Sequence, residues 1–203
     1  ELLIYSLHCM AGRGGLLSVL FCPEKIKIQG GHNVKNLLDE TLSLRGIVAV
    51  GLLVALGTLA APFSIPIGVA RVYPVQHCIN VLAGVLLGPG PGVLAAILTS
   101  TLRNLIGTGT PLAFPGSIFG ALLAGLAFRL SKRDYFAAVG EVIGTGFIGA
   151  LVSFPVAKWL LGFSGLAYAF IVPFALSSLV GAIIGLAILR LLSKNQKALI
   201  WRI

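Results

Sequence analysis

Between Gly46 and Phe128 the chain carries only two charged side chains, Arg71 and Arg103, and no acid occurs between Glu40 and Asp134. Soluble domains are about 25% charged. This chain is 10% charged and 57% hydrophobic, with a mean hydropathy of +1.01. A chain of 203 residues cannot hide that much apolar surface from water. Its solvent is therefore lipid, and the soluble globular, disordered and fibrous classes are excluded together.

A bilayer-crossing helix needs about 20 mostly apolar residues. Six runs approach that length: Gly46–Phe63, Val75–Leu87, Pro91–Ile106, Gly116–Leu130, Phe136–Leu161 and Leu166–Leu192. Pro155 is an expected kink in the fifth, and Pro173 falls in the first half of the sixth. The expected fold is an all-α integral membrane protein with six transmembrane helices. The second, third and fourth runs are too short for a full crossing, so flanking loop is expected at membrane depth. Irregular backbone survives there only against protein or a wet cavity, which points to a binding site rather than an anchor.

The basic residues give an orientation. Arg45, Arg129, Lys132, Arg133, Arg190, Lys194, Lys197 and Arg202 fall on one side of this scheme, against Arg71 and Lys158 on the other. That bias predicts a multi-pass protein of the cell membrane with both termini cytoplasmic. Most of the formal charge of +9 is this bias. It implies contact with anionic lipid headgroups and no need for nucleic acid as a partner. Residues 1–41 mix a broken apolar patch with Gly, Lys and polar residues, and are read as an N-terminal extension to a membrane domain over 42–203. With Met10 the single methionine, translation beginning at Val34 is the sharper expectation for this segment. Cys9, Cys22 and Cys78 are odd in number and include no CxxC, so neither a disulfide framework nor a zinc site is expected.

The polar residues inside the runs are few and grouped. Gln76, His77 and Asn80 share a face of the second run at helical spacing, with Gly84 and Gly88 continuing that face for close helix approach. Thr99, Ser100, Arg103 and Asn104 share a face of the third. Both clusters lie toward the outer ends of their spans. Arg103 is the most informative residue. A charge near the bilayer centre costs about 2.5–3.5 kcal/mol, and no acid exists in the first four runs to pair with it. It is either a snorkelling or helix-capping residue or a donor to a ligand. His77 is either a hydrogen-bonded packing residue or a ligand contact beside Gln76 and Asn80. No second ligand is placed to make it a metal site. The segment Gly107–Ser117, GTGTPLAFPGS, is either an ordinary turn or an entry loop offering Thr108, Thr110 and Ser117. It lacks the P-loop pattern, so no ATPase activity is expected of this chain. Glu141 is the only acid within or next to a run, and it lies near a cytoplasmic end. The shortage of intramembrane carboxylates argues against self-powered transport and against catalysis. No cofactor is implied.

The stretch Tyr73–Gly125 resembles the ThiW family in its PxQHxxNVLxGVLLGP run, Pro74–Pro89, and its RNxxGTGTxLAFPGS run, Arg103–Ser117. PFSIPIG, Pro62–Gly68, also fits, and the resemblance extends over about Leu42–Arg190. It implies an S component of an energy-coupling-factor (ECF) transporter: six helices, a ligand held near the extracellular side, a transmembrane coupling protein and two cytoplasmic ABC ATPases as partners. The implied ligand is the thiamine precursor hydroxyethylthiazole. Gln76, His77, Asn80, Arg103, Asn104 and Thr108 would bond its nitrogen and hydroxyl, with Tyr73, Phe63 or Phe114 on its ring. In this family a small-xxx-small pattern in the first helix meets the coupling protein. Gly51 and Ala55 stand at that place, with Gly where the family has Ala. The residues leave open the thiazole phosphate or a thiamine-related compound as ligand. They also leave open a stand-alone or proton-coupled carrier, and a membrane enzyme for which no catalytic motif is evident.

Overall fold

The computed structural model describes residues 44–67 and 70–194. The N-terminal extension and the start at Val34 lie outside the described residues. Helix α1 (Leu44–Leu59) leads into a small hairpin of β1 (Ile65–Ile67) and β2 (Ala70–Val72). Then come α2 (Pro74–Leu86), α3 (Pro89–Leu105) and α4 (Ala113–Ser131). Next, α5 (Asp134–Ile143), a π-helical segment (Gly144–Gly149) and α6 (Ala150–Leu160) form one continuous rod. A 3₁₀ turn, Ala167–Phe170, opens into α7 (Ile171–Lys194). Six rods therefore stand where the six apolar runs lie.

Proline and glycine set the boundaries. Pro74 and Pro89 stand in the first turns of α2 and α3, where the missing N–H would have had no helical partner. Gly88 caps α3 with φ +88°, a conformation open to glycine. It makes the turn and no close contact, so its expected role in helix approach is corrected. Gly84 does fill that role: a Cβ there would lie 2.8 Å from the Gly125 amide nitrogen of α4. Pro173 falls in the first turn of α7, where it is tolerated. Pro155 lies inside α6, and the irregularity of that rod comes before it, in the glycine-rich GTGFIG segment.

Among the described residues, three helical stretches are long and apolar enough to cross a bilayer: Ala113–Ser131, Asp134–Leu160 and Tyr168–Ser193. Helix α4, at 19 residues, therefore joins the long group rather than the short one. Its first turn includes Pro115, which a reading that treats proline as a stop assigns to the loop. At 13 residues α2 is about 20 Å long against a hydrocarbon core of about 30 Å. The hairpin occupies the connection between the first two runs, with Ile65 opposite Val72 and Ile67 opposite Ala70. Strands of three residues are too short to leave an alternating pattern.

Helix α4 is central, packing against α2, α3, α5 and the π-helical segment, while α7 covers α2 and α5, and α1 covers α3. The burial pattern is that of a membrane protein. Leu, Ile, Val and Phe side chains from every rod except α2 face outward. The largest fully buried side chains include Arg103, Glu141, Asn80, Thr99, Thr145, Ser100, Ser117, Ser153 and Ser178. Alanine and glycine fill the space between them, which lets the rods approach closely.

Candidate functional site

The one-face spacing on α2 presents Gln76 toward α3. There its Oε1 accepts a hydrogen bond from Arg103 Nη1 at 3.2 Å. The Arg103 guanidinium lies over the Tyr73 ring, with Cζ 3.8 Å from the centroid, a cation–π stack. Tyr73 precedes α2 and is fixed at both ends. Its N–H donates to Ser177 Oγ of α7 at 2.8 Å, and its hydroxyl to the Thr108 carbonyl at 3.0 Å. The Thr108 and Gly109 amides both fold back onto the Arg103 carbonyl at 2.9 Å, closing the end of α3. Gln76, Arg103 and Tyr73 line a narrow cleft together with Gly57, Ala61 and Phe63. Its walls leave no room for a freely seated water molecule. Phe63 is exposed.

Arg103 is 1% exposed, yet among the described residues its Nε and Nη2 have no hydrogen-bond partner, and neither does Gln76 Nε2. Buried polar atoms are satisfied in most proteins, so such a concentration calls for a cause.

His77 and Asn80 turn elsewhere. His77 Nδ1 lies 2.7 Å from Glu141 Oε1, and Asn80 Nδ2 donates to the same oxygen at 3.2 Å and to the Ser117 carbonyl at 3.3 Å. Thr145 Oγ1, in the π-helical segment, lies 2.9 Å from Glu141 Oε1 and 3.0 Å from the Gly116 carbonyl. Glu141 Oε2 packs against Gly120 of α4, where a Cβ would overlap the carboxylate. Ser100 Oγ and Ser117 Oγ, 2.8 Å apart, link this inner cluster to α3.

Of the expected site residues, Tyr73, Gln76 and Arg103 come together at the cleft. Thr108 reaches it through its carbonyl. Asn104 Nδ2 bonds the carbonyls of Ser100 and Thr110, tying the loop to α3. Phe114, half-buried on the first turn of α4, is not among the cleft residues; Phe63 is. Glu141, the one acid expected within or next to a run, is 0% exposed, so the shortage of interior carboxylates is not complete: the described bundle holds a fully buried one. The available signal was an acid more than a turn inside an apolar run, which is a functional candidate by default. Gly51 and Ala55 both face outward, and a Cβ at Gly51 would meet nothing within 4 Å. Gly57 packs inward on Thr99 and Ile79.

Residues 47–195 match the family described as thiamine-precursor transporter protein, ThiW. The chain belongs to the ThiW family. No curated protein and no solved structure matches it. Membership in a transporter family, with an apolar exterior, makes this a membrane transport protein for a small molecule rather than an enzyme. The motif residues that carry the resemblance include Gln76 and Arg103 at the cleft.

Proposed function

We propose that this ThiW-family chain is the substrate-binding S component of an ECF transporter and binds hydroxyethylthiazole in the cleft between α2, α3 and the hairpin. The supporting observation is the set of unpartnered donors on Arg103 and Gln76 beside an aromatic wall. A small heteroaromatic ring needs an apolar seat and a few directed hydrogen bonds. Tyr73 and Phe63 offer the seat, and Arg103 and Gln76 offer the bonds. The bundle crosses the membrane six times with both termini cytoplasmic, which puts the cleft on the outer side. Calorimetric titration of purified protein with hydroxyethylthiazole tests this. Saturable binding is expected, and it is lost in Arg103→Ala. Unaltered binding in that variant removes the site assignment.

ATP hydrolysis then belongs to two ABC ATPases, reached through a transmembrane coupling protein. The outward face of α1 at Gly51 and Ala55 is the docking surface, because small side chains allow close helix contact. Ala55→Leu should abolish co-purification with the coupling protein while leaving thiazole binding intact. A second reading, a proton-coupled carrier, is favoured by one observation: the buried His77–Glu141 pair, since intramembrane acids serve as proton relays. Thiazole uptake into vesicles that hold this chain alone, driven by a pH gradient, would select the carrier over the S component.

A further inference from the structure

The free atoms of Arg103 form a pattern. Gln76 Oε1 occupies Nη1, and Tyr73 covers a face of the guanidinium. What remains is the Nε–Nη2 edge, whose two N–H groups lie side by side in one plane, and neither has a partner among the described residues. That edge matches two oxygens of a phosphate or carboxylate in a bidentate fork. The neighbouring orphan, Gln76 Nε2, is also a donor. The unpartnered buried atoms at the cleft are three donor nitrogens, while the two unpartnered acceptors among the described residues, Asn80 Oδ1 and Glu141 Oε2, lie in the inner cluster.

The charges lead to the same place. The carboxylate inside the described bundle, Glu141, is held on Oε1 by His77, Asn80 and Thr145, and none of Arg103's nitrogens bonds it. The guanidinium thus has no contacting counter-charge among the described residues. Burying a charge that way is costly. A neutral thiazole alcohol leaves that cost in place, and it brings a hydroxyl proton to a wall made of donors.

We infer that the cleft takes its ligand as an oxyanion, with the phosphate monoester of the thiazole alcohol seated on the Nε–Nη2 edge of Arg103 and preferred over the free alcohol. This rests on the reading of the cleft as the precursor site. The test is calorimetry in nonionic detergent with hydroxyethylthiazole, its phosphate ester and inorganic phosphate. The ester should bind at least tenfold more tightly than either of the others. Arg103→Lys keeps the charge and removes the fork, so it should lower the ester-to-alcohol ratio severalfold without erasing it, and an unchanged ratio takes the ester off the Nε–Nη2 edge. If that variant does not fold, the wild-type ratio decides alone. Alcohol binding as tight as the ester overturns the oxyanion inference and leaves the precursor reading standing. Failure of both thiazoles to bind overturns both. The other source of phosphate is a lipid headgroup, so the titration is repeated in nanodiscs of phosphatidylglycerol and of phosphatidylcholine. Equal ester affinity in the two is expected. A tenfold loss in the anionic bilayer gives the fork to lipid and overturns the soluble ester.

Discussion

Glu141 and Arg103 are equally sealed from the surface, at 0% and 1% exposure, but their surroundings differ in kind. Three side chains from α2 and the π-helical segment converge on Glu141 Oε1, although Oε2 and Asn80 Oδ1 have no hydrogen-bond partner among the described residues. One amide oxygen and one aromatic face meet Arg103. A buried charge whose partners are supplied by the fold ties elements together. One whose partners are left out destabilises the fold unless something else completes it. On this comparison the inner cluster is architecture, joining α2, α4 and α5, while the cleft at Arg103 suits the proposed ligand.

The largest effect should follow from cutting the architecture. Glu141→Ala leaves His77, Asn80 and Thr145 with buried groups facing a void, and breaking such a pair costs about 3–5 kcal/mol. Unfolding of purified protein in detergent should show a loss of that order. A loss below about 1 kcal/mol would remove the distinction between the two regions. Gly120→Ala attacks the same cluster from α4, since its Cβ would overlap Glu141 Oε2 and Thr145 Oγ1. Overpacking of this kind costs about 1–3 kcal/mol. Combined with Glu141→Ala the two losses should not add, because removing the carboxylate makes room for the methyl group. Additive losses would mean that Gly120 is needed for some other contact.

These two residues also mark where the sequence was legible and where it was not. The rods follow the apolar runs closely, because a lipid solvent leaves so few charges that each run is bounded by its own breaks. Arg103 stood out for the same reason, and helical spacing correctly put Gln76 on the face that reaches it. Spacing gives a face but not the neighbour that the face meets. His77 and Asn80 share Gln76's helix, and their partner is an acid on α5, far along the chain. Glu141 lies close in sequence to Lys132 and Arg133, so its position suggested a cytoplasmic end. Packing of α5 between α4 and α7 carries it into the core. The Tyr73 stack was illegible in its geometry, since that residue precedes α2 and obeys no helical period.

A smaller effect probes the cleft wall. Tyr73→Phe keeps the ring under Arg103 and removes the hydroxyl bond to the Thr108 carbonyl. A hydrogen bond of this type contributes about 1 kcal/mol. Stability should fall by no more than that. Thiazole affinity should fall a few-fold, because the loop after α3 is no longer pinned beside the cleft. Equal affinity in Tyr73→Phe would confine the role of the residue to its ring.

The smallest expected effect on stability is the most telling. Arg103→Met fills much of the same volume, removes a buried charge with one direct hydrogen bond, and leaves behind only the Gln76 amide as an unpaired group. Replacing buried charges by apolar residues of similar size is often neutral or stabilising. The unfolding midpoint of this variant should therefore match or exceed that of the wild type, while binding of thiazole ligands is lost. The contrast with Glu141→Ala is the point: one buried charge should be required for folding and the other for the ligand. A collapse of the Arg103→Met fold would mean that the guanidinium is a structural tie like the carboxylate, and the cleft would lose its claim as the binding site. Stability held and binding gone would fix the outer cleft as the place where the fold gives up a satisfied interior to recognise something else.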